Sequence, residues 1–368
     1  MVERRLLRNF DFTLLAVTLA IIIYGCAMIY SAGKGGAMGA GYLERQVMWA
    51  LVGLFGAAVV ASVDHGVYNR YAGKLYGATL VMLLAVLLVG DASKGAQRWI
   101  ELGPARIQPS EFAKIALIIA LAVFLVSREP QIRAFRTFAL SFLYLLPPML
   151  LIFKQPDLST SLVLIAVWIS MVYVMGTDTK NIVFCVLGAA VLGLTVWNVP
   201  GLMKEYQKKR IISFVNPSAD PLGSGYHVTQ SRIAIGSGQI LGQGFLKGTQ
   251  RELRFIPEQH TDFIFTVVGE ETGFVGAAGL LVLYLALLLR ALNIMSTTED
   301  STGRAIAAGI IGMFLFHILV NVGMTLGIMP VTGVPLPMFS YGGSSLMANL
   351  LAIGLLEGIS MRRHRISF

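Results

Sequence analysis

The chain has 368 residues and a mass of 39.8 kDa, and hydrophobic residues make up 55% of it while charged residues make up 13%. Soluble domains carry roughly 25% charged residues, so this composition excludes a water-soluble globular protein. The formal net charge is +9. No basic helix, zinc-ligand spacing or aromatic RNA platform accompanies that charge, so nucleic acid is not an expected partner. Membrane topology and an anionic, phosphorylated ligand explain it better.

Apolar segments of about 17–25 residues, the length needed to cross a bilayer, recur along the chain. The first, 12–30, is too long for a signal-peptide core and has no A-x-A cleavage site. The others are predicted at 46–63, 72–90, 110–127, 137–153, 159–176, 181–198, 262–290, 303–326 and 338–360. The sequence therefore predicts an all-α polytopic membrane protein of about ten transmembrane helices, with residues 1–368 forming one integral membrane domain.

The distribution of Lys and Arg predicts the orientation of these helices. An even number of helices places both termini on one side, and the segments on that side hold twice as many Lys and Arg residues as the short segments opposite. By the positive-inside rule, both termini are cytoplasmic and residues 199–261 form a long extracytoplasmic loop between helices 7 and 8. The unusual polar residues also gather on the outer side, so we expect the active site there.

Several enzyme classes lack their sequence motifs here. The chain contains no G-x-x-x-x-G-K-[ST], H-E-x-x-H, C-x-x-C or G-x-S-x-G sequence, which argues against nucleotide-driven pumping, zinc proteases, thiol redox enzymes and serine hydrolases. Cys26 and Cys185 each lie in an apolar run and are predicted to be small buried hydrophobic residues rather than disulfide partners. We expect no nucleotide, haem or flavin cofactor.

Ionisable residues at a membrane boundary are costly, and four polar clusters at predicted helix ends are therefore functional candidates. The first contains Arg98, suited to bidentate phosphate binding, and Glu111 with Lys114, whose i, i+3 spacing lets them pair. Interfacial anchoring beside Trp99 explains Arg98 equally well. The second contains Asp157, either a functional carboxylate or a helix-start carboxylate favoured by the helix dipole.

The third and fourth clusters lie in and just after the long loop. Arg210 and Arg232 are interleaved with apolar residues, and 230–235 is predicted to form a short interfacial helix; substrate phosphate and simple headgroup attraction both explain the two arginines. Asp262 is predicted to open helix 8. It is either a first-turn carboxylate behind a Thr261 cap, or a general base beside a lipid-linked phosphate.

The segment 329–345 joins the last two predicted helices and is rich in proline and glycine. It contains three prolines, Ser340 and the Gly342-Gly343 pair. Such a segment at membrane depth indicates broken, closely packed backbone that lines a cavity. Packing without a binding role is the alternative.

Five motifs occur in order along almost the whole chain. They are Lys94-Gly-Ala-Gln-Arg-Trp, Gln108-Pro-Ser-Glu-Phe-Ala-Lys, Gln155-Pro-Asp-Leu-Ser-Thr, Pro257-Glu-Gln-His-Thr-Asp-Phe-Ile-Phe and Pro335-Leu-Pro-Met-Phe-Ser-Tyr-Gly-Gly-Ser. Together they resemble the SEDS family of shape, elongation, division and sporulation proteins. Gly-Ala-Gln-Arg-Trp and Gly248-Thr-Gln250 resemble the elongation branch more than the division branch.

The resemblance implies a peptidoglycan glycosyltransferase that polymerises lipid II, an undecaprenyl-diphosphate-linked disaccharide peptide, on the outer face of the bacterial cytoplasmic membrane during elongation. A class B penicillin-binding protein is implied as its partner. Asp262 is then the general base of an inverting single displacement, and Arg98, Lys114, Arg210 or a divalent cation, Mg²⁺ or Mn²⁺, stabilises the leaving diphosphate. The other residues assigned to the substrate site are Glu111, Asp157, Arg232, Glu258, His260, Ser340, Gly342 and Gly343.

Two other functions fit parts of the sequence. A lipid II flippase or other transporter is one, because about ten helices with intramembrane charges and broken segments also describe transport proteins. Against it, the ionisable residues collect at one face rather than at the midplane. The second is a scaffold that recruits the crosslinking enzyme.

Overall fold

A computed structural model describes residues 9–33, 39–89, 91–93, 96–102, 105–199, 205–216, 223–249, 256 and 259–362. The α-helices within these residues are α1 Phe12–Gly33, α2 Gly39–Ser62, α3 His65–Val89, α4 Pro109–Ser127, α5 Phe135–Lys154, α6 Leu158–Val174, α7 Thr179–Asn198, α8 Glu205–Val215, α9 Ser224–Ser237, α10 Ile264–Thr297, α11 Ser301–Thr325 and α12 Gly343–Met361. Helices α8 and α9 lie inside the predicted loop 199–261.

The predicted membrane-spanning segments each overlap one long helix. In the described part of the chain, 8 helices are long and apolar enough to cross a membrane. Helix α6 and the Thr179–Thr195 part of α7 are apolar but shorter. The prediction of an all-α polytopic membrane protein is therefore confirmed.

A small antiparallel sheet, absent from the sequence prediction, connects α3 to α4. It consists of β1 Asp91–Ser93, β2 Ala96–Leu102 and β3 Ala105–Ile107, in the order β1-β2-β3. In the second strand pair Ile100 lies opposite Ile107 and Glu101 opposite Arg106. The position of this sheet matters because β2 carries Arg98 toward the turn between α5 and α6.

Helices α4, α11 and α12 form the centre of the bundle. Their most apolar windows are 72%, 72% and 83% buried, against 22% for α2, α3 and α10. Close backbone approach contributes to this packing, since a Cβ added at Gly354 of α12 would lie 2.4 Å from the carbonyl oxygen of Ala57 in α2. Small residues at helix contacts are typical of membrane bundles. The three central helices therefore provide a rigid support for side chains at their ends.

Helix α10 is broken at Gly273, whose φ of 64° and ψ of −160° are not helical. The loop that follows α9 fills the break with backbone hydrogen bonds. Gln243 N–H donates to the Glu270 carbonyl at 2.9 Å, and Phe274 N–H donates to the Gln239 carbonyl at 2.8 Å. Backbone groups freed inside a membrane must find partners in the protein, and this loop supplies them.

The alternating path of the chain places the starts of α4, α6, α10 and α12 at one end of the bundle, together with the ends of α3, α5 and α11. We call this the site end. The residues singled out in the sequence motifs precede or open these helices, so the path of the chain brings them to a common region. The starts of α1 and α11 and the end of α12 lie at the opposite end.

Candidate active site

A cavity of about 300 Å³ lies at the site end, and we call it the main cavity. Its described lining comes from the sheet, the starts of α4, α6 and α12, the turn before α10, helix α11 and the segment 333–335. The lining residues are Arg98, Trp99, Gln108, Glu111, Asp157, Ser159, Thr160, Val163, Thr261, Asp262, His317, Gly333, Val334, Pro335, Tyr341, Gly342 and Ser345. Five of the residues that the sequence assigns to the site therefore share this cavity: Arg98, Glu111, Asp157, Asp262 and Gly342.

Asp262 lies on the wall of the main cavity, in the turn before α10. Helix α10 begins at Ile264 with Phe263 at its N-cap position, so Asp262 precedes the first turn and the predicted Thr261 cap is wrong. The Asp262 carbonyl accepts a hydrogen bond from Asn321 Nδ2 at 2.8 Å. Its carboxylate lies beside Gly333, because a Cβ added there would be 3.0 Å from Asp262 Oδ2.

Glu111 and Lys114 form the ion pair that their spacing predicts. Lys114 Nζ lies 2.8 Å from Glu111 Oε2 and 3.4 Å from His317 Nε2, and the lysine side chain is 1% exposed. His317 Nδ1 lies 3.1 Å from the Pro335 carbonyl. Since a carbonyl only accepts, Nδ1 carries the proton and Nε2 is free to accept from the ammonium group. Glu111 and His317 line the main cavity, and Lys114 lies behind them.

Asp157 has the helix-start role that was one of its two predicted interpretations, and it also lines the main cavity. Its carboxylate accepts from the backbone N–H of Thr160 at 3.2 Å and from Thr160 Oγ1 at 2.9 Å, which caps α6. Gln108 Nε2 donates to it at 3.4 Å. The two interpretations are therefore compatible, because the same carboxylate caps α6 and forms part of the cavity wall.

The Arg98 guanidinium connects the sheet to the turn between α5 and α6. Its Nε donates to the Gln155 carbonyl at 2.9 Å, and a terminal nitrogen donates to the Pro156 carbonyl. Arg98 and Trp99 both line the main cavity. The donor pair that we expected to bind phosphate is thus engaged with backbone carbonyls, while the charge of the guanidinium stays at the cavity.

The glycine-rich motif before α12 forms one wall, and α2 braces it. Gln46 Nε2 donates to the Ser340 carbonyl at 3.2 Å, and Gln46 Oε1 accepts from Gly342 N–H at 3.3 Å. Gly343 faces the Trp49 indole, whose Nε1 would lie 2.6 Å from an added Cβ. Of the three predicted residues, Gly342 lines the main cavity, whereas Ser340 and Gly343 hold its wall in place.

His260 lies next to the wall. Its ring stacks on Tyr42 with 4.5 Å between centroids, and its carbonyl accepts from Tyr341 N–H at 2.9 Å. Tyr341 itself lines the main cavity, so His260 supports a lining residue. Glu258, the remaining acidic residue of the same motif, lies outside the residues that the structure describes.

Arg232 lies at a second cavity of about 220 Å³, which we call the side cavity. It belongs to α9, which confirms the predicted short helix over 230–235. Arg210 is a half-buried residue of α8 and is not among the described lining of either cavity. The structure therefore does not bring the two arginines into the main cavity. Successive parts of one segment line the two cavities, since Met329–Val331 line the side cavity and Gly333–Pro335 the main one.

Sequence reasoning missed several residues of the site. His317 and Asn321 lie one helical turn apart in apolar α11, with exposures of 1% and 0%. Their side chains hold the backbone of Pro335, Val334 and Asp262. Polar groups inside a spanning helix are functional candidates, and this rule applied to residues 303–326 would have found both.

The structure thus defines a class: a multi-pass membrane protein with a polar, carboxylate-bearing cavity at one end of its helical bundle. Residues 7–365 match the FtsW/RodA/SpoVE family, described as cell cycle protein. The chain belongs to this family, which confirms the resemblance in the motifs.

Two named relatives are similar over nearly the full chain. Peptidoglycan glycosyltransferase MrdB of Escherichia coli (strain K12) is 38% identical over 359 residues, which cover 98% of this chain and 95% of that protein. Probable peptidoglycan glycosyltransferase FtsW of Trichlorobacter lovleyi is 38% identical over 362 residues, covering 96% and 94%. The predicted enzyme class, a peptidoglycan glycosyltransferase, is confirmed.

Two solved structures share the fold. One is a chain of a peptidoglycan synthase complex described as coordinating polymerization and crosslinking, with a TM-score of 0.82 and 35% identity over 97% of this chain and 99% of that one. The other is the rod shape determining protein RodA of Thermus thermophilus, with a TM-score of 0.73 and 32% identity over 97% and 98%.

Proposed function

We propose that this glycosyltransferase polymerises lipid II during cell elongation and shape maintenance, with Asp262 as the general base. The observation that carries the proposal is the position of Asp262, a carboxylate on the wall of a polar cavity and fixed through its backbone to α11. Similarity to a rod shape determining protein supports the elongation role. The similarity to an FtsW protein leaves division as the alternative process.

The reaction that we propose is a single displacement. Asp262 accepts the proton of the acceptor sugar's 4-hydroxyl while that oxygen bonds to the anomeric carbon of the donor. The bond from this carbon to the diphosphate oxygen breaks, and undecaprenyl diphosphate leaves from the opposite face with the electron pair. The configuration at the anomeric carbon inverts. One carboxylate suffices, because no glycosyl-enzyme intermediate is needed and the diphosphate leaves without a second acid.

Charge on the leaving diphosphate needs nearby positive groups. Arg98 places its charge at the main cavity although its donors hold backbone carbonyls. Lys114 lies behind Glu111, so in our proposal it acts without direct contact, by offsetting the negative charge of Glu111 that would otherwise repel the diphosphate. Glu111 holds the Lys114 ammonium in place.

The side cavity is proposed as the site of a second lipid-linked phosphate. Arg232 is its only charged described lining residue, and its other walls are mainly apolar, from Phe214, Val228 and Met329 among others. A guanidinium beside apolar walls suits a phosphate attached to a hydrocarbon chain. Arg210 precedes this region in α8 and is proposed to add to its positive field. Arg232→Ala should raise the KM for lipid II while turnover at saturation changes little.

A divalent cation, Mg²⁺ or Mn²⁺, is a further proposed source of positive charge. Among the described residues, no group of three or more His, Cys, Asp and Glu side chains is placed to hold a metal. Mg²⁺ is commonly held by one or two carboxylates together with substrate phosphates, and Asp262 and Asp157 of the main cavity fit that mode. When bound, the ion would offset the negative charge of the diphosphate.

The proposed setting is the bacterial cytoplasmic membrane, with both termini in the cytoplasm and the main cavity at the outer face. The excess of Lys and Arg in the segments at the opposite end supports this orientation. A class B penicillin-binding protein is the proposed partner, which would crosslink the strands that this chain makes. Similarity to a chain of a complex that coordinates polymerization and crosslinking supports such a partner.

Lipid transport is the second candidate, and the break of α10 at Gly273 favours it, because broken helices are frequent in transporters. The two candidates are separated by giving the purified protein lipid II and Mg²⁺ or Mn²⁺, with and without a penicillin-binding partner, and following both glycan polymer and lipid II scrambling in proteoliposomes. Our proposal expects polymer. Scrambling without polymer under every condition would favour the transporter, and neither activity would favour the scaffold.

A further inference from the structure

Asn321 of α11 contacts both backbone segments that flank the Asp262 carboxylate. Its side chain is 0% exposed. Nδ2 donates to the Asp262 carbonyl at 2.8 Å and to the Val334 carbonyl at 2.6 Å. One amide group thus links the turn before α10 to the segment between α11 and α12.

The orientation of this amide follows from its partners. Both partners are carbonyl oxygens, which only accept, so the NH₂ group must face them. Asn321 Oδ1 is then buried without a hydrogen-bond partner among the described residues. A buried polar atom without a partner is costly. The two hydrogen bonds that Nδ2 donates therefore explain the presence of asparagine at residue 321 better than packing does.

The linked segments are in contact where the chemistry is proposed. Gly333 precedes Val334, has a φ of +77°, and would place an added Cβ 3.0 Å from Asp262 Oδ2. Asn321 holds the backbone carbonyls of Val334 and Asp262. The segment 333–334 that it fixes therefore limits the space available to the Asp262 carboxylate. His317, one helical turn earlier, fixes the next residue, Pro335, in the same way.

We propose that Asn321 is a positioning residue that sets the place of Asp262 against the segment 333–334. The proposal rests on the role of Asp262 as general base. Asn321 acts through Asp262 and is not among the described lining of the main cavity. Its loss should therefore impair the chemical step more than substrate binding.

The test replaces Asn321 by leucine, which keeps a similar volume and removes both donors. Since a misplacement of about 1 Å can cost roughly 100-fold in rate, Asn321→Leu should lower the kcat for lipid II polymerisation by about 10- to 100-fold, with KM within about twofold of wild type. The matched control is Thr325→Val on the same helix. Thr325 is 0% exposed and its hydroxyl donates only locally, to the Val322 carbonyl, so kcat should stay near wild type.

Two results would overturn the positioning role: an unchanged kcat in folded Asn321→Leu, or equal losses in Asn321→Leu and Thr325→Val. If Asn321→Leu does not fold, Gly333→Ala tests the contact between the segment 333–334 and the Asp262 carboxylate, and it should lower kcat without raising KM. An unchanged kcat in Gly333→Ala would also overturn the positioning role. Full activity of Asp262→Ala would instead refute the base itself, so the two failures are distinguishable.

Discussion

Glu111 and Lys114 form an ion pair with almost no solvent exposure, so replacing one partner should destabilise the protein strongly. The Nζ–Oε2 distance is 2.8 Å, and the side chains are 1% exposed for Lys114 and 6% for Glu111. Removing one partner of a buried pair leaves an uncompensated charge, which costs about 3–5 kcal/mol. Lys114→Met and Glu111→Gln should each lower the free energy of unfolding by about that amount. The double variant should recover much of the loss, because neither charge remains.

Thermal unfolding of the purified proteins in one detergent checks this prediction. The control is the pair of Arg106 and Glu101, whose atoms lie 2.6 Å apart but whose side chains are 61% and 47% exposed. An exposed pair contributes about 0–1 kcal/mol, so Arg106→Gln should change stability little. The reasoning fails if Arg106→Gln destabilises as much as Lys114→Met, or if the double variant is less stable than both single variants.

Two further predictions use the same unfolding assay. Gly273→Ala should lower the free energy of unfolding by more than about 2 kcal/mol, because Gly273 has a φ of 64° and the added Cβ would lie 2.3 Å from the Gly242 nitrogen. Gly279→Ala lies on the same helix, where an added Cβ has nothing within 4 Å, and should instead raise the free energy of unfolding by about 0.5–1 kcal/mol. Arg98→Lys should lower the free energy of unfolding by about 1–3 kcal/mol, because an ammonium group cannot donate to the Gln155 and Pro156 carbonyls with the geometry of the guanidinium. Equal stability of the two glycine variants would contradict the first prediction, and wild-type stability of Arg98→Lys would contradict the second.

The helices were predictable from sequence because their apolar centres exceed the length of a bilayer, but their ends were not. Helix α3 was predicted over 72–90 and begins at His65, since Asn69, Arg70 and Lys74 lower the hydropathy of a helix that continues beyond the apolar segment. The last helix was predicted from 338 and begins at Gly343. There the sequence is apolar, but Met338 has a φ of 61° and the backbone turns.

The break of α10 was hidden from the sequence for a different reason. Gly273 lies in an apolar segment that reads as one continuous helix, and the glycines of the loop after α9 read as ordinary turn residues. The break is stable because that loop completes the backbone hydrogen bonds on both sides of it. Such a feature depends on residues about 30 positions apart along the chain and has no local periodicity to reveal it.

For the site, the motifs contain the predicted residues that line the main cavity, but the sequence does not show at which cavity a basic residue of the long loop lies. Asp262, Glu111, Asp157 and Arg98 were all predicted, and the structure places them on one cavity. Arg232 is assigned to the substrate site from its charge and from the apolar residues around it, and the structure places it at the side cavity. The charge of Arg232 does not determine at which cavity it lies. Its position at the side cavity depends on the packing of α9 against the segment 327–331.

The most direct measurement of the central claim is the turnover of lipid II by Asp262→Asn, which keeps the shape of the side chain and removes its capacity to accept the proton. The matched control is Asp178→Asn, at the N-cap of α7, which begins at the end of the bundle opposite the site end. General-base catalysis typically contributes 10²–10⁴-fold, so kcat should fall by about that factor in Asp262→Asn, with lipid II still bound, and stay near wild type in the control. Wild-type turnover by Asp262→Asn would contradict the account.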